Sequence, residues 1–150
     1  MKAHTGDMRA LLLCLMVVAG PAGAFPTVQP DWVHVVTSDD GADFQWIVSR
    51  TKFASGSITV WMVLDQRKVA GSRRVGGPSV VYGMDQISID CAKEEMRPLA
   101  SYRYDSRGSV VSSDTLLRQA IAPPPGTAGD YLIKMVCDTA RDVAASAPPR

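Results

Sequence analysis

The sequence predicts an α+β fold: a small antiparallel β-sheet of about five to six strands, with a C-terminal helix packed on one face and tied there by a disulfide. Three observations carry that prediction. Period-two apolar runs, separated by polar and glycine-bearing turns, fill most of the chain after an apolar leader. One run of helical period follows a block of prolines near the end. Two cysteines beyond the leader fall on inward positions of different elements.

Residues 1–24 have the pattern of a signal peptide. Lys2 and Arg9 form a basic start, residues 10–20 (ALLLCLMVVAG) an apolar centre, and Ala22, Gly23 and Ala24 the small residues a signal peptidase needs, so cleavage is expected before Phe25. The apolar run is too short for a membrane-spanning helix, which takes about 20 residues. Cys14 follows Leu11, Leu12 and Leu13 and lacks the small residue that must precede an acylated cysteine. Residues 25–144 are expected as one domain, and 145–150 (ASAPPR), without periodicity or bulk, as a frayed tail.

Losing Lys2, Arg9 and Asp7 with the leader takes 16 basic and 15 acidic side chains to 14 of each. That balance argues against a nucleic-acid binder held by phosphate contacts. His34 is the imidazole left in the mature part, and the chain has no asparagine, so a Cys/His/Asn catalytic set and N-glycosylation are both excluded by composition.

The elements follow in order. Residues 32–36 (WVHVV) are a short strand, closed by the turn 38–41 (SDDG). Residues 44–48 (FQWIV) and 57–64 (SITVWMVL) alternate with period two around a turn at 54–56 (ASG) and read as a hairpin. The second strand puts Ile58, Val60, Met62 and Leu64 on one face and Thr59, Trp61 and Val63 on the other; both faces are apolar, which suits a central strand. Residues 66–78 (QRKVAGSRRVGGP) turn basic and glycine-rich and read as an exposed loop, with neither the dinucleotide glycine spacing nor a P-loop lysine. Residues 79–91 are the next strand region, with Ile87, Ile89 and Cys91 on the core face and Gln86, Ser88 and Asp90 opposite. Residues 99–104 and 109–112 form another hairpin around 105–108 (DSRG), where Gly108 supplies the positive φ of the turn. Residues 115–121 fit strand or helix equally, and 123–126 (PPPG) end whichever forms.

A helix restarts near Thr127, an N-cap residue, with Asp130 in the first turn where the helix dipole favours negative charge. Ile133, Val136, Cys137, Ala140 and Ala144 recur at helical spacing as an inward stripe; Lys134, Asp138, Arg141 and Asp142 lie off it. Cys91 and Cys137 thus both face the core in a chain routed to an oxidising compartment, and a Cys91–Cys137 disulfide follows. A free reactive thiol and a zinc site are the competing readings. Zinc takes about four ligands, and one histidine with no CxxC pair supplies too few.

Residues 57–61 (SITVW), the Asp90-Cys91 step, Tyr104 with the run 108–112 (GSVVS), Ile121 before its prolines, and Val136-Cys137 occur in an order that resembles the surface-adhesin protein E domain of Gram-negative bacteria. The resemblance covers residues 32–137. It implies a small antiparallel sheet with a disulfide-tied C-terminal helix, in an exported protein of the periplasm or cell surface. It also implies adhesion to host extracellular-matrix proteins.

Three functional readings are open. The first is a non-enzymatic binding module that meets host matrix proteins or glycans through a sheet face, a sheet edge or the basic loop, where Arg67, Lys68, Arg73 and Arg74 are the positions suited to sulfated glycans or acidic proteins. The second is a periplasmic structural or accessory protein that self-associates, as a homodimer, through an exposed strand edge. The third is a hydrolase, for which the chain offers His34, no Gly-x-Ser-x-Gly turn and scattered carboxylates. No cofactor, metal or nucleic-acid partner is expected. Asp39, Asp40 and Asp43 lack the spacing of a calcium loop and read as a polar turn. Trp32, Trp46 and Trp61 are either core cover or a ligand platform.

Overall fold

A computed structural model describes residues 31–54, 56–115 and 118–146; the expected leader lies outside these residues. Six strands, β1 (Trp32–Thr37), β2 (Asp43–Ala54), β3 (Ser57–Asp65), β4 (Tyr82–Asp90), β5 (Glu95–Tyr104) and β6 (Val110–Asp114), precede one helix, α1 (Ala128–Ser146). Each strand pairs antiparallel with the next, in the order β1-β2-β3-β4-β5-β6. Short turns join β1 to β2, β2 to β3 and β5 to β6, where Gly41, Gly56 and Gly108 have positive φ, and a longer loop joins β3 to β4.

The alternation of β3 sets the layers. Register pairs Trp46 with Met62, Val60 with Ile87 and Ile58 with Ile89, so these side chains share the face that α1 covers. Leu132, Ile133 and Val136 of the helix complete that core with Met96 of β5. The helix stripe is rotated from the expected one: Leu132 is fully buried and Ala144 is exposed. Cys137 and Ala140 pack against the core edge as expected. The helix also runs through Ala145 and Ser146, the start of the expected tail.

The helix N-terminus is capped from the residues before it. Asp130 accepts a hydrogen bond from the Gly126 amide at 2.8 Å, and the Lys134 ammonium lies 2.9 Å from the same carboxylate oxygen. The amide of Asp130 donates to the Thr127 hydroxyl at 3.4 Å.

Three sequence readings are corrected. The strand expected from residue 99 begins at Glu95; Pro98 falls beside a bulge between Gln86 and Ile87 of β4, where a missing amide is tolerated. Residues 79–81 precede β4 instead of belonging to it. The basic loop between β3 and β4 is exposed only in part. Gln66, Val69, Val80 and Val81 are buried, and Val69 joins Ala42 and Leu64 in a second small cluster on the helix side of the sheet. The Gln66 side chain holds the loop, accepting from the Val75 amide at 2.6 Å and donating to its carbonyl at 3.1 Å. Helix and loop together cover one face of the sheet, with a groove of about 1060 Å³ left between α1 and the adjoining ends of β2, β3 and β4. Of the segment equally suited to strand or helix, Ile121 forms an isolated antiparallel bridge to Met96, with backbone bonds of 2.8 and 2.9 Å.

Candidate functional site

The two faces of the sheet differ in what covers them. Register places Trp32, Ile47, Trp61, Met84, Tyr102 and Tyr104 on the face opposite α1. Nothing in the described chain layers over that face, yet the side chains shield one another: Trp32, Trp61, Met84, Tyr102 and Tyr104 are half-buried and Ile47 is buried. With Asp31, Ser49 and Arg50 at one rim they line a hollow of about 560 Å³. The Trp61 and Tyr102 rings lean together over β4, their centroids 6.0 Å apart and their planes 30° from parallel. Burial pushes the Tyr104 phenol up and Tyr102 adds to the rise, while the Arg50 charge pulls it back.

Of the three tryptophans weighed as a platform, the structure brings Trp32 and Trp61 to this face. Trp46 is a core residue on the helix side, its indole N–H donating to Thr51 Oγ1 at 2.8 Å across the β2 bulge. The partners from β4 and β5 could not be read from sequence, because only the register decides which Tyr and Met share a face with Trp61. The alternation around Tyr102 and Tyr104 was the available signal.

The four basic positions separate. Arg67 lies along Asp65, with contacts from 2.7 to 3.1 Å, and its guanidinium sits 5.2 Å above the centre of the Tyr82 ring, at the end of the open face. Lys68 is 3.6 Å from Asp43, whose carboxyl is held below its ordinary value first by the Thr37 hydroxyl and then by Lys68 and His34. Arg74 turns inward and donates to the carbonyls of Val69 and Pro78, closing the loop on itself. Arg73 is exposed, and its charge is felt at Asp40, which Ser38 already holds low by hydrogen bonding.

Cys91 and Cys137 form the expected disulfide, spanning 46 positions between the end of β4 and the middle of α1. Asp90 accepts from the amides of Ala92 and Lys93 at 3.1 and 3.2 Å and so builds the turn that aims Cys91 at the helix. The charges of residues 93–95 belong to this turn and to the first residue of β5. His34 is exposed on β1, its Nε2 3.0 Å from Thr37 Oγ1 and 4.0 Å from Asp43. Asp39 and Asp40 sit in the turn after β1, where Ser38 bonds Asp40 at 2.6 Å. Among the described residues no three His, Cys, Asp or Glu side chains gather where a metal could sit, and no helix is long and apolar enough to cross a membrane.

The geometry defines a class: a single-sheet α+β domain, closed on one face by a disulfide-clipped helix and open on the other with an aromatic surface. Residues 32–138 match the family model for surface-adhesin protein E, and the chain belongs to that family. Membership of a surface-adhesin family marks an exported or cell-surface protein. Solved structures of protein E from Haemophilus influenzae are similar in fold. One matches with a TM-score of 0.53 at 11% identity, covering 75% of this chain and 88% of that one. A second crystal form gives 0.57 at 9% identity, covering 81% and 98%. Protein E from a non-typeable strain gives 0.51 at 11% identity, covering 80% and 84%. No match was found among curated proteins.

Proposed function

We propose that this protein is an exported, non-enzymatic binding module of a Gram-negative periplasm or cell surface, and that it meets host extracellular-matrix partners through its open sheet face. The observation that supports this most is the one-sided closure of the sheet. Helix and loop bury one face, while Trp32, Trp61, Tyr102 and Tyr104 stay at the surface of the other. Large rings with a polar handle are the side chains that concentrate binding energy at interfaces. Arg67 and Lys68 border the same face and extend it towards acidic or sulfated groups, and Arg73 is exposed on the loop beyond them. Arg74, the fourth basic position, contributes by holding the loop in shape.

The test is binding of the whole, disulfide-bonded protein to a panel of matrix proteins and to heparin. Trp61→Ala or Tyr102→Ala is expected to weaken matrix binding about tenfold or more. Replacing Arg67, Lys68 and Arg73 with serine should remove the salt-sensitive part. Binding left unchanged by both sets of substitutions would overturn the reading.

A second reading, self-association, draws on one observation. β6 is a sheet edge whose Val110 and Val111 are 56% and 49% exposed. Sedimentation of the mature protein decides it: a dimer broken by Val111→Lys supports an edge contact, and a monomer at all concentrations excludes it.

A further inference from the structure

We propose that the open sheet face is a saccharide site, which takes an uncharged pyranose unit of a glycan laid over Trp61 and Tyr102. The inference rests on the binding-module reading and names what its contact face recognises. A pyranose presents an apolar C–H face and a rim of hydroxyls, so its site needs aromatic rings beneath and both donors and acceptors around the edge. Trp61 and Tyr102 supply a shelf that bridges β4, with Trp32 and Tyr104 continuing it, in a hollow of about 560 Å³, the size of small-ligand sites. At the rim Ser49 donates to the Asp31 carboxylate, and Arg50 stands near Tyr104. One acid and one base leave this end without net charge.

Other ligand classes fit less well. Nucleobases stack on aromatic rings equally, but their phosphates need a track of cations. The hollow's lining carries one cation, Arg50, and Arg67 and Lys68 lie outside it. A lipid chain or apolar peptide would meet tyrosine hydroxyls, Asp31 and Arg50, polar groups it cannot satisfy.

The experiment titrates the full disulfide-bonded protein with chitotetraose and cellotetraose, and with a heparin tetrasaccharide as the charged comparator, reading tryptophan fluorescence and heat. A neutral tetrasaccharide is expected to bind saturably, with affinity equal at low and high salt. Trp61→Ala should weaken it about tenfold or more, Trp61→Phe only slightly, and Val143→Ala, on the exposed side of α1, not at all. Circular dichroism and a thiol count establish that each variant is folded; if Trp61→Ala is not, Tyr102→Ala carries the same expectation. Absence of binding by both neutral probes, or binding by the heparin fragment alone with loss at high salt, overturns the inference. So does neutral-sugar binding unchanged in folded Trp61→Ala or Tyr102→Ala. Matrix binding that requires Trp61 yet survives enzymatic removal of the partner's glycans overturns the saccharide inference and leaves the binding module standing.

Discussion

Gln66 lies 1% exposed at the foot of the basic loop, and both ends of its amide bond the main chain of Val75. Burying an amide is tolerable only when it is hydrogen-bonded, and here the pairing fixes the shape of a loop that would otherwise be floppy. Gln66→Leu is expected to cost about 1–3 kcal/mol and to raise amide exchange across residues 69–75, measured by denaturation and hydrogen exchange. On the helix, Leu132→Ala removes a fully buried side chain from the main cluster and is expected to cost about 2–5 kcal/mol. The carboxylates act through pH. Asp130 is held below its ordinary pKa first by the Gly126 amide and then by Lys134, and Asp43 first by the Thr37 hydroxyl. A carboxylate held low in the fold takes up its proton more readily once unfolded. Its contribution is therefore full above the ordinary carboxylate value and is lost as pH falls through the folded one. Stability should decline over the acid range, and Asp130→Asn should flatten that decline in denaturation curves taken at successive pH values.

At the scale of elements, the disulfide joins the sheet to a helix that the chain reaches only after a proline block. A bridge across 46 positions is worth about 4 kcal/mol on the chain-entropy account. Reduction should lower the melting temperature, and α1 should lose exchange protection before β3 and β4 do; an unchanged melting curve after full reduction would contradict this. The strands that alternate cleanly, β3 above all, were legible because one face is core and the other is a packed aromatic surface. The clip was legible too, because two cysteines at inward positions leave few alternatives. Other features were hidden for physical reasons. Val69 of the basic loop is a single apolar residue among charges and follows no period, so its burial depends on a tertiary surface provided by Ala42, Phe44 and Leu64. The start of β5 carries charges and Pro98, which weaken any strand pattern. The helix stripe was offset because periodicity gives a face to within a residue or two, and contact with the sheet selects Leu132 over Ala144.

For the molecule as a whole, a meander covered on one side by helix and loop leaves the other sheet face without a covering layer among the described residues. The sequence carried the residues of that surface, Trp32, Trp61, Tyr102 and Tyr104, but only pairing across five strands, β1 to β5, assembles them. Family membership gives the exported, adhesin-like setting, and the proposed binding chemistry rests on the aromatic face. The most direct measurement compares matrix binding by wild type, Trp61→Ala on the open face and Val143→Ala on the exposed side of α1, all with the disulfide formed. The account predicts binding by wild type and Val143→Ala, and a loss of about tenfold or more for Trp61→Ala. Equal binding by all three, or a loss confined to Val143→Ala, would contradict it.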